Sequence, residues 1–387
     1  MRSLVKIMKG EMSIISKEFA IIMTLFLGPI VYAFFVGSVY EKKNIQETPM
    51  GIVDLDGTET SRTLTRFVDA SPKAHISESF SNYEDALTAL NSFDNYGFLY
   101  IPNGFEKNLK KGKGGTIMAY LNTTRFLPAN ELLQAINEVS MTMGAGVRIK
   151  YFTAKGLPLE GAKNKALPIQ PVIRTLYNPA ISYGDFLLPA VFLLILHQTL
   201  FMGIGQSISL TKERYKIGVL KDLSGGSALK AILGKSAFYY FLYLAYSLLF
   251  CGVIFQVFDV PMRGSFGILF FMFLIFVFTI SNFGLLMGSF FRTQSFWMIF
   301  VAFTSYPFFL STGYSWPLSE MPEIIQWMAA ILPSTPFFLA MQQIVTMGAD
   351  FASVQGHILH MLGLSLVIFV LTWWRMQYLF KKEVSDS

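Results

Sequence analysis

Long apolar runs recur along this chain, and no other feature limits its fold so strongly. Six stretches of 20 to 26 mostly apolar residues can be read: Phe19–Val39, Tyr183–Ser207, Leu233–Phe258, Ser265–Phe290, Phe296–Ser315 and Ile358–Tyr378. About 20 residues at 1.5 Å each cross the hydrocarbon of a bilayer, where backbone polar groups must be satisfied within the segment, which a helix does. The composition excludes a soluble enzyme, with 53% of 387 residues hydrophobic, 38 of them Phe, and 14% charged. The chain is therefore expected to be an α-helical polytopic membrane protein with six transmembrane helices. The first, residues 19–39, is followed by no small-residue cleavage pattern and reads as an uncleaved span kinked at Gly28-Pro29.

Charge sets the expected orientation. Arg2, Lys6, Lys9 and Lys17 precede the first span, and Lys212, Arg214, Lys216, Lys221, Lys230 and Lys235 cluster after the second, whereas residues 41–180 are nearly balanced with 16 basic and 14 acidic groups. Short basic stretches beside apolar runs are retained on the cytoplasmic side, so the net charge of +6 is a topology signal and calls for no nucleic-acid partner. A seventh run, Ile324–Met347, is broken by Pro333 and Pro336 and carries Gln326, Gln342 and Gln343. It fits an outer re-entrant segment, residues 316–347, better than a span. Six spans (helices 2 to 6 within residues 183–378) then leave both termini cytoplasmic, with Lys381 and Lys382 in a tail of residues 379–387. Residues 1–18, with Leu4, Ile7, Met8, Ile14 and Ile15 largely on one side, are expected to form an amphipathic interfacial helix on the lipid bilayer.

Residues 40–182 have a soluble composition. Strand patterns at Gly51–Leu55, His75–Phe80, Tyr96–Ile101 and Ile117–Leu121 alternate with helical patterns at Thr58–Ala70, after Asn82, and from Ala129 to Lys155. This order predicts an extracytoplasmic α/β domain inserted between the first and second transmembrane helices, returning to the membrane through a Gly156–Pro171 linker.

The residues offer little catalytic chemistry. Lys111-Gly112-Lys113-Gly114-Gly115-Thr116 lacks the spacing of a phosphate-binding loop, so ATP hydrolysis would belong to a partner. His357 and His360 share a helical face without a nearby carboxylate, Asp54 and Asp56 suit a turn, and the one cysteine, Cys251, lies in an apolar run. No catalytic, cofactor-binding or metal-binding residues are expected. Polar groups inside spans are costly and become candidates for a substrate path: His197, Gln198 and Asn282. The cytoplasmic loop 209–232 mixes charges with Tyr215, Ile217, Val219, Leu220 and Leu223, a pattern that either presents an apolar face to a partner or is an ordinary positive-inside loop.

The run Ser311-Thr312-Gly313-Tyr314-Ser315-Trp316-Pro317-Leu318, then Met321-Pro322 and Leu332-Pro333-Ser334-Thr335-Pro336, resembles the signature of type 2 ABC transporter permeases. Tyr177-Asn178-Pro179 with Phe186-Leu187-Leu188-Pro189 looks like that family's entry to the second span. The inserted region is similar to the extracytoplasmic domain of its larger bacterial members at Val53-Asp54-Leu55-Asp56, Ser61-Arg62 and Tyr100-Ile101-Pro102-Asn103-Gly104-Phe105. The resemblance implies ATPase-coupling residues Lys212, Glu213, Arg214, Gly218 and Leu220, although Lys216 and Ile217 stand where the family usually has a second glutamate. Gly313, Pro317, Pro322, Pro333 and Pro336 interrupt what would otherwise be a continuous apolar helix, and this broken segment is expected to form an outer gate.

By that resemblance the chain is the permease subunit of an exporter in the bacterial inner membrane. Its partners would be a cytoplasmic ATP-binding cassette subunit that binds ATP and Mg, a second permease copy or paralogue in a homo- or heterodimer, and a periplasmic adaptor on the outer domain. The alternative is a membrane receptor or scaffold whose outer domain binds a ligand without transport. An ion-coupled carrier would want paired intramembrane acids, and Asp185 and Asp259 lie at span ends.

Overall fold

The computed structural model describes residues 2–169 and 172–385; the last two residues of the Gly156–Pro171 linker and the final two of the tail lie outside the described residues. Two compact units result, one built from 1–43 and 175–387, the other from 44–174.

The first unit begins with helix α1 (Arg2–Ile15), whose stripe Ile7, Glu11 and Ile15 is buried at i, i+4, i+8 spacing. Helix α2 (Phe19–Val39) carries a π-helical stretch at Met23–Leu27, just before Gly28-Pro29, where proline removes one backbone donor. Its Val31, Tyr32, Phe35 and Val39 are exposed, an apolar face suited to lipid.

The second unit is a four-stranded sheet between helices. Strand β1 (Thr48–Asp54), α3 (Glu59–Asp69), β2 (Ala74–Ser79), α4 (Tyr83–Asn91), β3 (Gly97–Ile101), α5 (Phe105–Lys110), β4 (Met118–Leu121), α6 (Phe126–Ala154) and α7 (Leu159–Ala166) follow in order. The sheet order is β2-β1-β3-β4, parallel except for antiparallel β4. Alternation along the strands makes two cores. Met50, Ile52, Leu99 and Ile101 meet Leu64 and Val68 of α3 and Leu132 and Ile136 of α6. Val53 and Phe98 meet Ala86 and Leu90 of α4. The side chains of Thr58 and Asn82 accept from Ser61 N and Asp85 N, capping α3 and α4.

The acidic motifs of this domain are structural. Asp54 accepts the N–H groups of Asp56 and Gly57, each at 3.0 Å, and the Ser61 hydroxyl at 2.6 Å. Asp56 accepts from Gly104 N at 2.8 Å and Glu106 N at 3.1 Å, tying the β1–α3 turn to the start of α5. Burial alone would raise the Asp56 carboxyl, but the Thr58 hydroxyl and these N–H groups outweigh it and hold it below its ordinary value. Gly104 enters α5 at φ +84°, where a side chain would be strained.

The membrane unit resumes with α8 (Tyr183–Leu210), continued by a π turn at Thr211–Tyr215, then α9 (Ile217–Ser224), α10 (Ala228–Val257), α11 (Phe266–Gly288), α12 (Gln294–Leu310), α13 (Glu323–Ile331), α14 (Ser334–Met347) and α15 (Phe351–Ser385). Among the described residues α2, α8, α10, α11 and α15 are long and apolar enough to cross a bilayer, or six spans result if α13 and α14 count as one broken span. Helix α12 is shorter than expected because it ends at Leu310, ahead of Ser311 and of Gly313 at φ +81°. Helix α10 starts five residues earlier than expected, capped by Ser227, and α15 starts seven earlier, where Asp350 accepts from Ser353 N at 2.9 Å. Helices α8 and α11 cross closely: a Cβ on Gly288 would lie 2.5 Å from Gly205 O and 2.6 Å from Gly205 Cα.

Candidate functional site

The segment after α8 is wired into the turn between α11 and α12. The Lys212 ammonium donates to the carbonyls of Ser289 and Phe291 at 2.5 and 2.6 Å, satisfying backbone acceptors that the end of α11 leaves open. Glu213 accepts Gln294 N at 2.9 Å at the first residue of α12, and Arg214 pairs with Glu18 at 2.5 Å, just before α2. Three consecutive charges thus tie this segment to the α11–α12 turn and to the link before α2. Lys216 sits at φ +58°, sparsely populated by L-residues, between the π turn and α9.

Helix α9 has two faces. Ile217 and Leu220, the latter 6% exposed, are buried with Ser224, while Val219 (53%) is exposed and Leu223 (36%) lies at the rim, its Cδ1 3.7 Å from where a Cβ on Gly10 of α1 would sit. Leu220 is therefore an anchor of α9 to the bundle, and the outward apolar contacts are its neighbours. Gly218 is half-buried beside them.

The three intramembrane polar candidates do not converge. His197 is buried, stacked on Phe201 and tilted against Phe276, with no hydrogen-bond partner for Nδ1 among the described residues. Gln198, one residue on, faces α12, accepting from the Ser305 hydroxyl at 2.9 Å. Asn282 donates to Phe278 O within its own helix, while its backbone carbonyl accepts from Thr372 of α15.

The segment from Gly313 to Pro336 is folded against the bundle. A Cβ on Gly313 would meet Leu318 Cγ at 2.7 Å, Pro317 opens a short 3-10 turn at Leu318–Glu320, and Pro322 precedes α13. Helices α13 and α14 are bent by 86° at Leu332-Pro333. Pro336, in the first turn of α14, is buried, and α14 packs on α8, α11 and α15, with Phe337 stacked on Phe276 at 3.7 Å. The Tyr314 hydroxyl donates to Phe186 O near the start of α8. His360 hydrogen-bonds Ala330 O at 2.8 Å, closing the end of α13.

A buried polar cluster escaped the sequence reading. Glu11 of α1 and Lys235 of α10 form an ion pair with side chains 3% and 1% exposed. Glu11 also accepts the hydroxyls of Ser207 and Tyr239, and Lys235 donates to Ser207 at 2.8 Å and Thr211 at 3.2 Å. The available signal was position: Glu11 falls on the stripe of Ile7 and Ile15, so it cannot face water if they are buried. Lys235, counted above among the loop charges, lies inside α10 and belongs to none of its exposed surface.

Comparison with known proteins agrees with this architecture. The model of the ABC-2 family transporter protein matches residues 19–374. The chain is 27% identical over 221 residues to the probable multidrug ABC transporter permease YbhR of Escherichia coli strain K12, covering 56% of this chain and 59% of that relative. It is 26% identical over 223 residues to the probable multidrug ABC transporter permease YbhS of the same strain, covering 56% of this chain and 58% of that relative. The chain thus spans less than two thirds of the curated relatives it matches. A family match running from the first span to the last, over a helical bundle interrupted by one α/β unit, places the chain in the ABC-2 transporter family, as a multi-pass membrane protein.

Proposed function

We propose that this chain is the membrane-spanning subunit of an ATP-driven exporter in a bacterial inner membrane. A separate cytoplasmic ATP-binding cassette subunit binds ATP and Mg and hydrolyses the nucleotide. The observation that carries the reading is the wiring of Lys212, Glu213 and Arg214. A partner pressing on the exposed Val219 and Leu223 would displace a segment fastened to the α11–α12 turn and to the entry of α2. That is a route by which a cytoplasmic event biases the arrangement of spans between two states.

The topology that goes with it has six spans, with α12 as the fifth and α13–α14 as an outer re-entrant pair. At 1.5 Å per residue the 17 residues of α12 span about 26 Å, enough for the hydrocarbon with slight local thinning. Both termini then lie in the cytoplasm and the α/β domain outside, where an adaptor would dock. The stripe Phe296, Ile299, Phe303, Tyr306 and Leu310 on α12 is exposed along its length and is the face we assign to a second permease copy or paralogue. Gln198, which faces α12, lines the path beside that seam, His197 lies behind it against Phe276 of α11, and the segment from Gly313 to Pro336 caps the path from outside. The multidrug naming of the relatives points to lipophilic organic substrates.

The test is reconstitution with the ATP-binding subunit in proteoliposomes loaded with the cationic dye Hoechst 33342. ATP-dependent dye movement, abolished by Val219→Asp with Leu223→Asp while the spans remain folded, supports the reading. A purified chain that binds no ATPase yet retains ligand binding by its α/β domain would favour the receptor or scaffold alternative.

A further inference from the structure

The ion pair of Glu11 and Lys235 lies outside every role assigned so far, and stability does not explain it. Removing two charges from solvent is costly, and well-packed apolar residues commonly replace such pairs without loss. What a fully hydrogen-bonded pair supplies and an apolar contact does not is a fixed register between the elements it joins.

Its location gives that register a use. The pair joins three elements: α1 through Glu11, α10 through Lys235 and Tyr239, and the end of α8 through Ser207 and Thr211. Thr211 is the first residue of the π turn that carries Lys212, Glu213 and Arg214. The same turn is tied back to the α1–α2 link by Arg214 and Glu18. Beside the cluster Ile7 packs into the space left by Gly234, where a Cβ would lie 2.8 Å from Ile7 Cβ, so the helices are in register at a second point. Helix α1 is therefore tied through Glu11 to α10 and the end of α8, and the link that follows it is tied through Glu18 to the π turn.

We propose that Glu11 and Lys235 are positioning residues of the coupling apparatus, locking α1, α8 and α10 into one rigid body that moves as a unit when the ATP-binding subunit acts. The inference rests on the permease reading for its purpose, but the rigid joint itself can be measured without it.

The experiment uses the full chain with Cys251→Ser, spin-labelled through Met12→Cys on α1 and Leu229→Cys on α10, both exposed. The labelled protein is studied alone and with its ATP-binding partner, nucleotide-free and trapped with ATP and vanadate. Since neutralising one member strands the other charge, the decisive variant is Glu11→Leu with Lys235→Met, which restores packing without the directional bonds. The expected result is a narrow distance distribution in the parent protein that trapping leaves unchanged. In the double variant it should broaden in the folded fraction, with a modest fall in melting temperature from the Tyr239 and Ser207 hydroxyls that lose Glu11 as acceptor, and Hoechst 33342 efflux per ATP hydrolysed reduced roughly tenfold. A parent distribution that shifts on trapping overturns the proposal. So does a double variant that keeps the parent's distribution, or one that keeps its efflux ratio. If the complex hydrolyses no ATP, the permease reading fails, while the joint is still decided by whether the double variant broadens the nucleotide-free distribution.

Discussion

Adjacent residues on α9 should respond to mutation in opposite ways. Leu220 is 6% exposed and packs into the bundle, so Leu220→Ala removes a buried branched side chain and leaves a cavity, at a cost of about 3 kcal/mol of stability. Val219 is 53% exposed and Val219→Asp should change stability by less than about 1 kcal/mol; Leu223, 36% exposed and packed beside Gly10 of α1, should cost about 1–2 kcal/mol as aspartate, still less than Leu220→Ala. If these two are the apolar centre of the partner contact, each aspartate should cost at least about 2 kcal/mol of binding, roughly 30-fold in Kd. The assay pairs thermal unfolding in detergent with titration of the ATP-binding subunit onto immobilised permease. Leu220→Ala should lower Tm by several degrees while its folded fraction binds with the parent Kd, and the aspartate variants should weaken binding with a smaller loss of Tm. Aspartate variants that bind within about twofold of the parent, a difference of only ~0.4 kcal/mol, would refute the reasoning and place the docking face elsewhere.

Three further outcomes follow from the packing. Gly288→Ala places a methyl against the backbone of Gly205, which cannot rotate away, so thermal unfolding should show a loss of about 1–3 kcal/mol, whereas Gly144→Ala, with open space around it, should show none. Asp56 has a folded pKa below its ordinary 3.8, so its contribution is complete above that value and is lost as pH falls through the lower folded one; Asp56→Asn should flatten the acid limb of a Tm-against-pH curve for the full chain. Gly313→Leu forces a side chain into φ +81° and onto Leu318, a strain of about 1–2 kcal/mol, and should reduce dye efflux more than assembly, measured as efflux per permease recovered with its partner.

Much of the fold was legible because it is written in periodicity. The strands expected at His75–Phe80, Tyr96–Ile101 and Ile117–Leu121 occur at Ala74–Ser79, Gly97–Ile101 and Met118–Leu121, and the long helix expected from Ala129 begins three residues earlier. Span ends were less legible. Apolar character tells which residues tolerate hydrocarbon, but a helix stops where a cap or a left-handed residue stops it. Ser227 and Asp350 extended α10 and α15 beyond their apolar windows, and the turn before Gly313 cut α12 short.

The candidate site was legible by residue type and illegible by direction. A loop rich in both charges and apolar groups fits either a contact surface or an ordinary positive-inside loop, and charge alone does not say which groups are spent inside the protein. Lys212 and Glu213 use their hydrogen bonds on the backbone of the α11–α12 turn, so under the proposed function any effect on a partner would pass through that turn. Lys235 is the sharper case. Counting it as a positive-inside charge assumes it faces water or headgroups, and it reaches neither, because Glu11 arrives from more than two hundred residues away to neutralise it. A cation in the first turns of a span can orient the helix during insertion and then be consumed in tertiary structure. Topology rules read the first event, and only the partner's position in space reveals the second.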